Sequence, residues 1–138
     1  MNLSTKCEYA ILAVLDLAVT ASAQPVRIAD IAGRQHIPQK FLEGILSELK
    51  RSGVLESRRG AEGGYLLGKP AEMITIGEVV RAIESGRGKL ASGEEGPLSI
   101  LFGELDAAIA SVFDRRTFAE LARQWRDRQT TYTHDWQI

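Results

Sequence analysis

The chain has little of the chemistry that stabilises secreted proteins or builds metal centres, since Cys7 is the only cysteine among 138 residues. A single cysteine excludes an intrachain disulfide and a metal site made of several cysteines of one chain. No apolar run approaches the roughly 18 residues needed to span a bilayer. The net charge of −1 gives no overall sign of a nucleic-acid partner. These absences favour a protein of the reducing cytoplasm with no membrane partner.

An N-terminal export signal is also disfavoured, although residues 9–23 are mostly apolar and end in a small-residue triplet. Asp16 interrupts this run, on the side of a helix that we expect to face water. The preceding segment is not clearly basic, because Glu8 balances Lys6. The segment is therefore interpreted as part of the folded domain of a cytoplasmic protein.

Composition and local charge indicate what the chain does contain. Apolar residues make up 44% and charged residues 25%, which is typical of a globular protein of about one domain. Residues 1–60 carry eight Lys or Arg and six Asp or Glu, whereas residues 61–138 carry nine and twelve. The front is thus about +2 and the rear about −3, which weakly favours a front that meets DNA.

Helical spacing of apolar residues recurs three times in the first 52 residues. A first helix, capped by Ser4 or Thr5, is predicted to end near residue 21. A second is predicted over residues 28–35 and a third over residues 39–52. Two short helices joined by a tight turn are typical of a helix-turn-helix.

Glycine and proline mark the ends of these elements. Pro38 suits the first position of the third helix, and Gly53 suits a left-handed residue at its end. Residues 54–58 and 65–67 then predict two strands around the glycine-rich segment 60–64. The expected fold class is mainly α with a small β-hairpin wing, that is, a winged helix-turn-helix followed by a long dimerisation helix.

Two adjacent arginines lie on the first strand of the wing. Because side chains alternate across a strand, Arg58 and Arg59 leave on opposite faces. At least one is then expected to reach a phosphate or a narrow minor groove. The alternative is a plain hairpin with two solvated arginines. The preceding helices and Gly60 favour the interpretation as a DNA-contacting wing.

The outward face of the third helix carries the candidate base-reading residues. Gln39 is suited to adenine and Glu43 to the amino group of cytosine. Lys40 and Lys50 are suited to phosphates, which fix register without reading sequence. Gly44 would allow a close backbone approach. The alternative is an ordinary solvated helix face.

The rear of the chain predicts two more helices after one near residues 75–85. The first begins at Pro97 and ends near Asp114, and its apolar residues are spaced by three and four. They are candidates for a dimer interface, or else pack on their own domain: Leu98, Leu101, Phe102, Leu105, Ala108, Ile109 and Val112. Thr117 and Glu120 have the spacing of a capping box for a final helix, and the tail from Thr130 stays unassigned, although Tyr132 and Trp136 suggest docking.

The expected division of the chain follows from these elements. Residues 1–85 form the winged helix-turn-helix domain, residues 86–96 a loop, and residues 97–138 the dimerisation helix with the C-terminal helix and tail. The loop is rich in glycine and lacks aromatic residues.

Catalytic chemistry is not evident, and we expect no enzyme. His36 and His134 have no nucleophile beside them in the sequence. Three alternatives stay open: a reactive thiol at Cys7 near a helix N-terminus, a metal- or redox-sensing regulator using Cys7, Glu8 and His36, and a winged-helix module that binds protein instead of DNA.

The chain resembles the Rrf2 family of bacterial transcription regulators over residues 1–85. The matching segments are Leu3-Ser4-Thr5-Lys6, Tyr9-Ala10, Leu15-Asp16-Leu17-Ala18, Ile28-Ala29-Asp30-Ile31-Ala32, Phe41-Leu42-Glu43, Gly53-Val54-Leu55, Arg59-Gly60, Gly63-Gly64-Tyr65-Leu66-Leu67-Gly68 and Ile76-Gly77-Glu78-Val79.

The resemblance implies a homodimer that binds pseudo-palindromic operators and acts as a repressor. The positions that contact DNA in the family correspond to Gln39, Lys40, Phe41, Glu43 and Gly44 in the third helix and to Arg59 and Gly60 in the wing. Ser4, Thr5 and Lys6 lie where backbone contacts occur. Pro38, Gln39, Lys40 and Gly44 depart from the residues common there, so the operator is expected to differ.

Many family members hold an iron–sulfur cluster on three cysteines between the fourth helix and the dimer helix. Residues 86–96 contain no cysteine, and thiolates are the usual ligands of such clusters. The chain therefore resembles the cluster-free branch, which includes a repressor of cysteine metabolism that takes its signal from an enzyme of cysteine synthesis. This implies no cofactor and a possible partner enzyme of that kind.

Overall fold

The computed structural model describes the backbone of residues 3–84 and 95–136, and side chains at the C-terminal end as far as Thr130. The described chain has six helices, one hairpin and a short 3-10 helix over Ala71–Met73. The elements are α1 (Thr5–Thr20), α2 (Ile28–Gln35), α3 (Gln39–Arg51), β1 (Leu55–Arg58), β2 (Gly64–Leu67), α4 (Ile76–Glu84), α5 (Ser99–Arg115) and α6 (Phe118–Trp136). The predicted fold class, mainly α with a small β-hairpin wing, is confirmed.

Helix α1 is the centre of the fold and contacts α2, α3, α4 and α6. Ser4 is its N-cap, because the Ser4 hydroxyl accepts a hydrogen bond from the backbone N–H of Cys7 at 3.1 Å. Small residues line the buried face, and Ala10 and Ala13 are fully buried. Their size lets the neighbouring helices approach closely, so α1 fixes the positions of α2 and α3.

The helix-turn-helix follows the predicted bounds. Helix α2 ends at His36, which takes the left-handed conformation at φ 55°. The buried stripe of α3 consists of Leu42, Ile45, Leu46 and Leu49, as the spacing predicts. Gly53 has φ 87°, which confirms its predicted left-handed conformation just after the helix.

Pro38 occupies a position one residue before the first turn of α3, instead of the first helical position predicted for it. It is the N-cap of α3, with an extended ψ of 123°, instead of its first helical residue. Its carbonyl accepts a hydrogen bond from the N–H of Leu42 at 3.0 Å. The missing N–H of proline costs nothing at this end, since the first N–H groups of a helix lack helical partners.

The wing is a two-stranded antiparallel hairpin in which Leu55 pairs with Leu67 and Arg58 with Gly64. The segment before α2 adds an isolated bridge, in which Val26 pairs with Tyr65. Val26 and Leu55 are buried. The base of the wing is therefore built into the core.

The rear elements differ from the prediction at two ends. Helix α5 begins at Ser99 instead of Pro97, because Leu98 leaves helical geometry at φ −102° and ψ 1°. Helix α6 continues to Trp136, so the tail that was unassigned from Thr130 is helical. This helix is polar after Ala122, and apolar periodicity therefore gave no signal. The predicted docking of Tyr132 and Trp136 concerns side chains that lie outside the described residues. The first nine residues of the predicted 86–96 loop also lie outside them.

The hydroxyls of Thr75 and Thr117 cap the first turns of α4 and α6. The Thr75 hydroxyl accepts from the N–H of Glu78 at 3.2 Å, and that of Thr117 accepts from the N–H of Glu120 at 3.2 Å. Thr75 and Thr117 also form an antiparallel bridge. The start of α4 and the junction of α5 and α6 are therefore joined.

The expectation that Asp16 faces water is wrong, since Asp16 is only 4% exposed. Its carboxylate accepts hydrogen bonds from Arg34 Nε at 2.9 Å, Arg34 Nη2 at 2.8 Å and Gln35 Nε2 at 2.9 Å. Buried carboxylates are tolerated when they are paired and hydrogen-bonded. The donors belong to the last turn of α2. The sequence pattern of α1 alone does not reveal these partners.

Candidate nucleic-acid interface

The face of α3 opposite its buried stripe is open to solvent. Gln39, Lys40, Glu43, Gly44 and Lys50 are all exposed. A Cβ built on Gly44 would meet no atom of the described chain within 4 Å, so this position is an open gap in the helix surface. The face offers an amide, a carboxylate and two ammonium groups, which suit base edges and phosphates.

Phe41 is also exposed, at 44%, although it is apolar. Its ring packs edge-on against Tyr9 of α1, with 5.6 Å between ring centroids and an interplanar angle of 78°. The contact restrains the ring, while much of the side chain stays open to solvent. An apolar edge at the start of a recognition helix suits a thymine methyl group.

The wing presents both predicted arginines. Arg58 and Arg59 are exposed, together with Gly60. The prediction that both arginines lie on the strand is wrong, because β1 ends at Arg58 and Arg59 begins the turn. Arg58 Nη2 lies 3.4 Å from Glu56 Oε1 in a pair whose side chains are 63% and 49% exposed. Exposed pairs of this kind contribute little energy, so the Arg58 guanidinium can readily exchange this partner for a phosphate.

Two glycines give the wing its shape. Gly60 has φ 112°, which side-chain-bearing residues rarely adopt. A Cβ on Gly63 would lie 2.4 Å from the Arg58 carbonyl oxygen. The turn is therefore compact, and Arg59 lies at the end of the hairpin.

An open cleft of about 550 Å³ separates the wing from the start of α2. Its lining includes Arg27, Ala29, Arg58 and Gly60. Arg27 is exposed and was missed by the sequence analysis. The available signal was a cation in an extended segment directly before a helix, which Pro25 makes non-helical.

The predicted N-terminal contacts are partly engaged within the protein. Lys6 Nζ bonds Glu48 Oε1 at 2.9 Å, which links α1 to α3. The Ser4 N–H donates to Glu84 Oε1 at 2.9 Å, while its hydroxyl caps α1. Ser4 and Thr5 are exposed. A phosphate contact by Lys6 would compete with its bond to Glu48.

Cys7 does not have the environment of a reactive thiol. It is fully buried, and the burial, together with the nearby Glu84 and Glu8 carboxylates, raises the pKa of Cys7 to about 12. The thiol is thus protonated at physiological pH. Within residues 3–84 and 95–130 the structure groups no three His, Cys, Asp or Glu side chains so that they could hold a metal ion, and it does not bring Cys7, Glu8 and His36 together in such a site.

Helix α5, with Leu98 directly before it, carries the predicted interface residues on a surface that the described part of the chain leaves largely exposed. Every residue of α5, which lies wholly within the described chain, is at least partly exposed. Leu98 is 53% exposed, Leu101 48%, Leu105 42% and Val112 45%. Ala108 is exposed as well, whereas Phe102 and Ile109 are half-buried. The helix contacts α4, and Arg81 Nη1 bonds Asp114 Oδ1 at 2.7 Å between them.

Over the described part of the chain, the helices are too short or too polar to cross a membrane.

Comparisons with known proteins agree with this geometry. The sequence profile of the Rrf2 family, described as an iron-dependent transcriptional regulator, matches residues 3–124. The HTH-type transcriptional regulator IscR of Citrobacter koseri is 36% identical over 148 aligned positions, covering 98% of this chain and 90% of the relative.

Solved structures give the same result. CymR, the global cysteine regulator of B. subtilis, superposes with a TM-score of 0.79 at 29% identity, covering 90% of this chain and 98% of CymR. IscR of T. potens gives a TM-score of 0.78 at 28% identity, with coverage of 94% and 91%. These relatives are regulators of transcription and not enzymes. The winged helix with its exposed recognition face, the matching profile and the similar sequences lead to one conclusion: the chain belongs to the Rrf2 family of DNA-binding transcriptional regulators.

Proposed function

We propose that this regulator is a cytoplasmic homodimeric repressor that binds a pseudo-palindromic operator without an iron–sulfur cluster. The observation that carries the proposal is the exposed polar face of α3, with Gln39 and Glu43 at its start, next in the chain to a wing with Arg59 at its tip. Base-reading groups at the start of a recognition helix and a cation on a wing are the two parts of major- and minor-groove recognition.

The apolar surface of α5 supports the homodimer. Five residues of its stripe or directly before it are exposed in the single chain: Leu98, Leu101, Leu105, Ala108 and Val112. A contiguous apolar surface of this kind marks an interaction site. A second copy that covered it with its own α5 would form a two-fold interface, in which each copy presents the same surface. Two recognition helices would then meet two half-sites.

The donor set argues against the cluster found in many family members. Iron–sulfur clusters are held by cysteine thiolates, and this chain offers only Cys7. That thiol is buried and its pKa is raised to about 12, so it is neither accessible nor ionised. The residues present do not fit a cluster on three cysteines of one chain. The partner enzyme of cysteine synthesis that the resemblance implies remains a prediction.

The test begins with duplexes selected from random DNA by the purified wild-type protein. Their binding is then measured by fluorescence anisotropy over a range of salt concentrations. We expect specific binding that weakens steeply with salt, because each phosphate contact releases counterions. Arg59→Ala should weaken binding at least tenfold, about 1.4 kcal/mol or more. Arg128→Ala is the matched control, since Arg128 is an exposed arginine of α6. Failure to enrich any sequence, or equal loss in both variants, would contradict the proposal.

The sign of regulation needs a separate measurement. A reporter placed under a promoter that carries the selected operator should be expressed more strongly when the regulator is deleted. Lower expression after deletion would identify an activator instead.

A further inference from the structure

Arg27 connects the segment before α2 to the tip of the wing. It occupies the N-cap position of α2 with an extended ψ of 144°, and its side chain does not cap the helix. Instead, Nη2 of Arg27 donates a hydrogen bond to the carbonyl oxygen of Ala61. Ala61 lies 34 residues further along the chain, between Gly60 and Gly63 in the turn. The guanidinium therefore reaches across the cleft between α2 and the wing.

The base of the wing has its own attachment, directly beside Arg27. The N–H of Val26 donates to the carbonyl of Tyr65 at 2.9 Å, and the N–H of Tyr65 donates back at 2.8 Å. A Cβ on Gly64 would lie 2.3 Å from the Val26 carbonyl oxygen, so glycine permits this approach. Neighbouring residues of one short segment thus hold the base and the tip of the hairpin.

Among the described residues, no carboxylate forms an ion pair with Arg27. Arg34 and Arg58 pair with the carboxylates of Asp16 and Glu56, whereas Arg27 bonds a neutral carbonyl. The Arg27 guanidinium lines the same cleft as Arg58. The contact therefore fixes the tip and keeps a positive charge on the wing side of the domain.

We propose that Arg27 is a positioning residue, which holds the wing tip so that Arg59 is directed toward DNA before DNA arrives. Arg59 is joined to Ala61 through Gly60 alone, and Gly60 has φ 112°. A tip that is free to move about such a flexible glycine would lose conformational entropy on binding. Holding it in advance lowers that cost, which raises affinity by preorganisation. The role rests on the proposed function for its consequence, but the restraint itself exists without DNA.

The first arm of the test measures the restraint in the free protein. Amide ¹⁵N order parameters are determined for residues 60–63 in the wild type, in Arg27→Ala and in the matched control Arg128→Ala. We expect a fall from about 0.85 to below about 0.6 in Arg27→Ala only. The thermal midpoint should change by no more than about 2 °C, since Arg27 is exposed. Unchanged order parameters would overturn the proposal, whatever the DNA result.

The second arm is a double-mutant cycle with a duplex selected by the wild-type protein. Arg27→Ala should weaken binding about tenfold in the wild-type background and less than about twofold in Arg59→Ala, because a positioning residue has nothing left to position. Independent losses that multiply would overturn the positioning role and identify Arg27 as a separate DNA contact. Absence of any selected duplex would count against the proposed function, and the first arm would still decide whether Arg27 restrains the wing.

Discussion

Asp16 and Arg34 form a bidentate ion pair that joins the middle of α1 to the last turn of α2, with the Asp16 side chain 3% exposed and that of Arg34 46% exposed. The hydrogen bond to Asp16 raises the pKa of Arg34, so the guanidinium stays charged over the whole pH range in which the protein is handled. The pair fixes the orientation of α2, and through the following turn it also sets the position of α3.

Removing Arg34 should therefore destabilise the protein. Arg34→Ala leaves the Asp16 carboxylate buried with one fewer partner, and breaking a fully buried pair costs about 3–5 kcal/mol. Since Arg34 is half exposed, we expect a loss of about 2 kcal/mol in the free energy of unfolding, measured by urea denaturation at fixed protein concentration. Arg128→Ala should change it by less than about 0.5 kcal/mol. Similar values for the two variants would show that the pair contributes little.

Cys7 should be protected from thiol reagents. Its pKa of about 12 lies above the ordinary thiol value of 9.0, so the folded thiol is protonated at pH 8 and is also sterically buried. We expect reaction with a chromogenic disulfide at pH 8 to be at least about 100-fold slower in native protein than in urea. Because the ionised form is disfavoured by folding, stability should decrease as the pH rises from about 9 towards 12. Rapid stoichiometric labelling of native protein would contradict the prediction.

Glu43 and Lys50 should affect binding in different ways. Glu43→Ala should relax base preference at one position in each half-site, by about 1–3 kcal/mol of discrimination. Lys50→Ala should weaken binding to all duplexes alike and reduce the salt slope by about 1. Affinities for a set of operators with single base changes measure both effects. The assignment of Glu43 would be wrong if its variant kept the wild-type order of preference.

The surface of α5 should control assembly without contributing to the fold of the single chain. Leu101→Glu combined with Leu105→Glu places two charges on the exposed stripe, and we expect monomers of 15.1 kDa with an unchanged circular dichroism spectrum. Operator affinity should fall at least about 100-fold, because the two half-sites no longer bind together. Ala107→Glu, on the opposite side of the helix, is the matched control. Light scattering after size exclusion measures the mass. A double variant that stays dimeric would show that the dimer interface lies elsewhere on the protein.

Local signals predicted much of the fold because the chain marks its element ends with special residues. Gly53 and the hydroxyls of Thr75 and Thr117 fix helix ends by backbone conformation and capping, which depend on neighbours in sequence. The buried stripe of α3 follows from spacing alone. The polar extension of α6 gave no such signal. Part of what holds this helix in place is distant in sequence, since Arg126 donates to the carbonyls of Ala18 and Val19, more than 100 residues away.

The candidate site was predicted where residue type decides the chemistry, and missed where a distant partner decides it. The exposed positions of Gln39 and Glu43 follow from the amphipathic pattern of α3. The hydrogen bond from Arg27 to Ala61 joins two loops that are 34 residues apart. The sequence of either loop alone does not indicate that the other is its partner. The bond between Lys6 and Glu48 is similar, since each residue alone is typical of a solvated surface charge.

Phe118 begins the last helix, yet it is fully buried and belongs to the same core as α1 and α3. Its N–H donates to the carbonyl of Ile74 at 3.0 Å, beside the start of α4. A fragment that ended at residue 96 would lack this ring and uncover the apolar side chains it packs against, and the loss of a buried Phe side chain costs about 3–5 kcal/mol. That is a large part of the roughly 5–15 kcal/mol that keeps a domain folded. Proteolytic removal of the C-terminal third would consequently destabilise the winged helix itself, in addition to removing the exposed surface of α5.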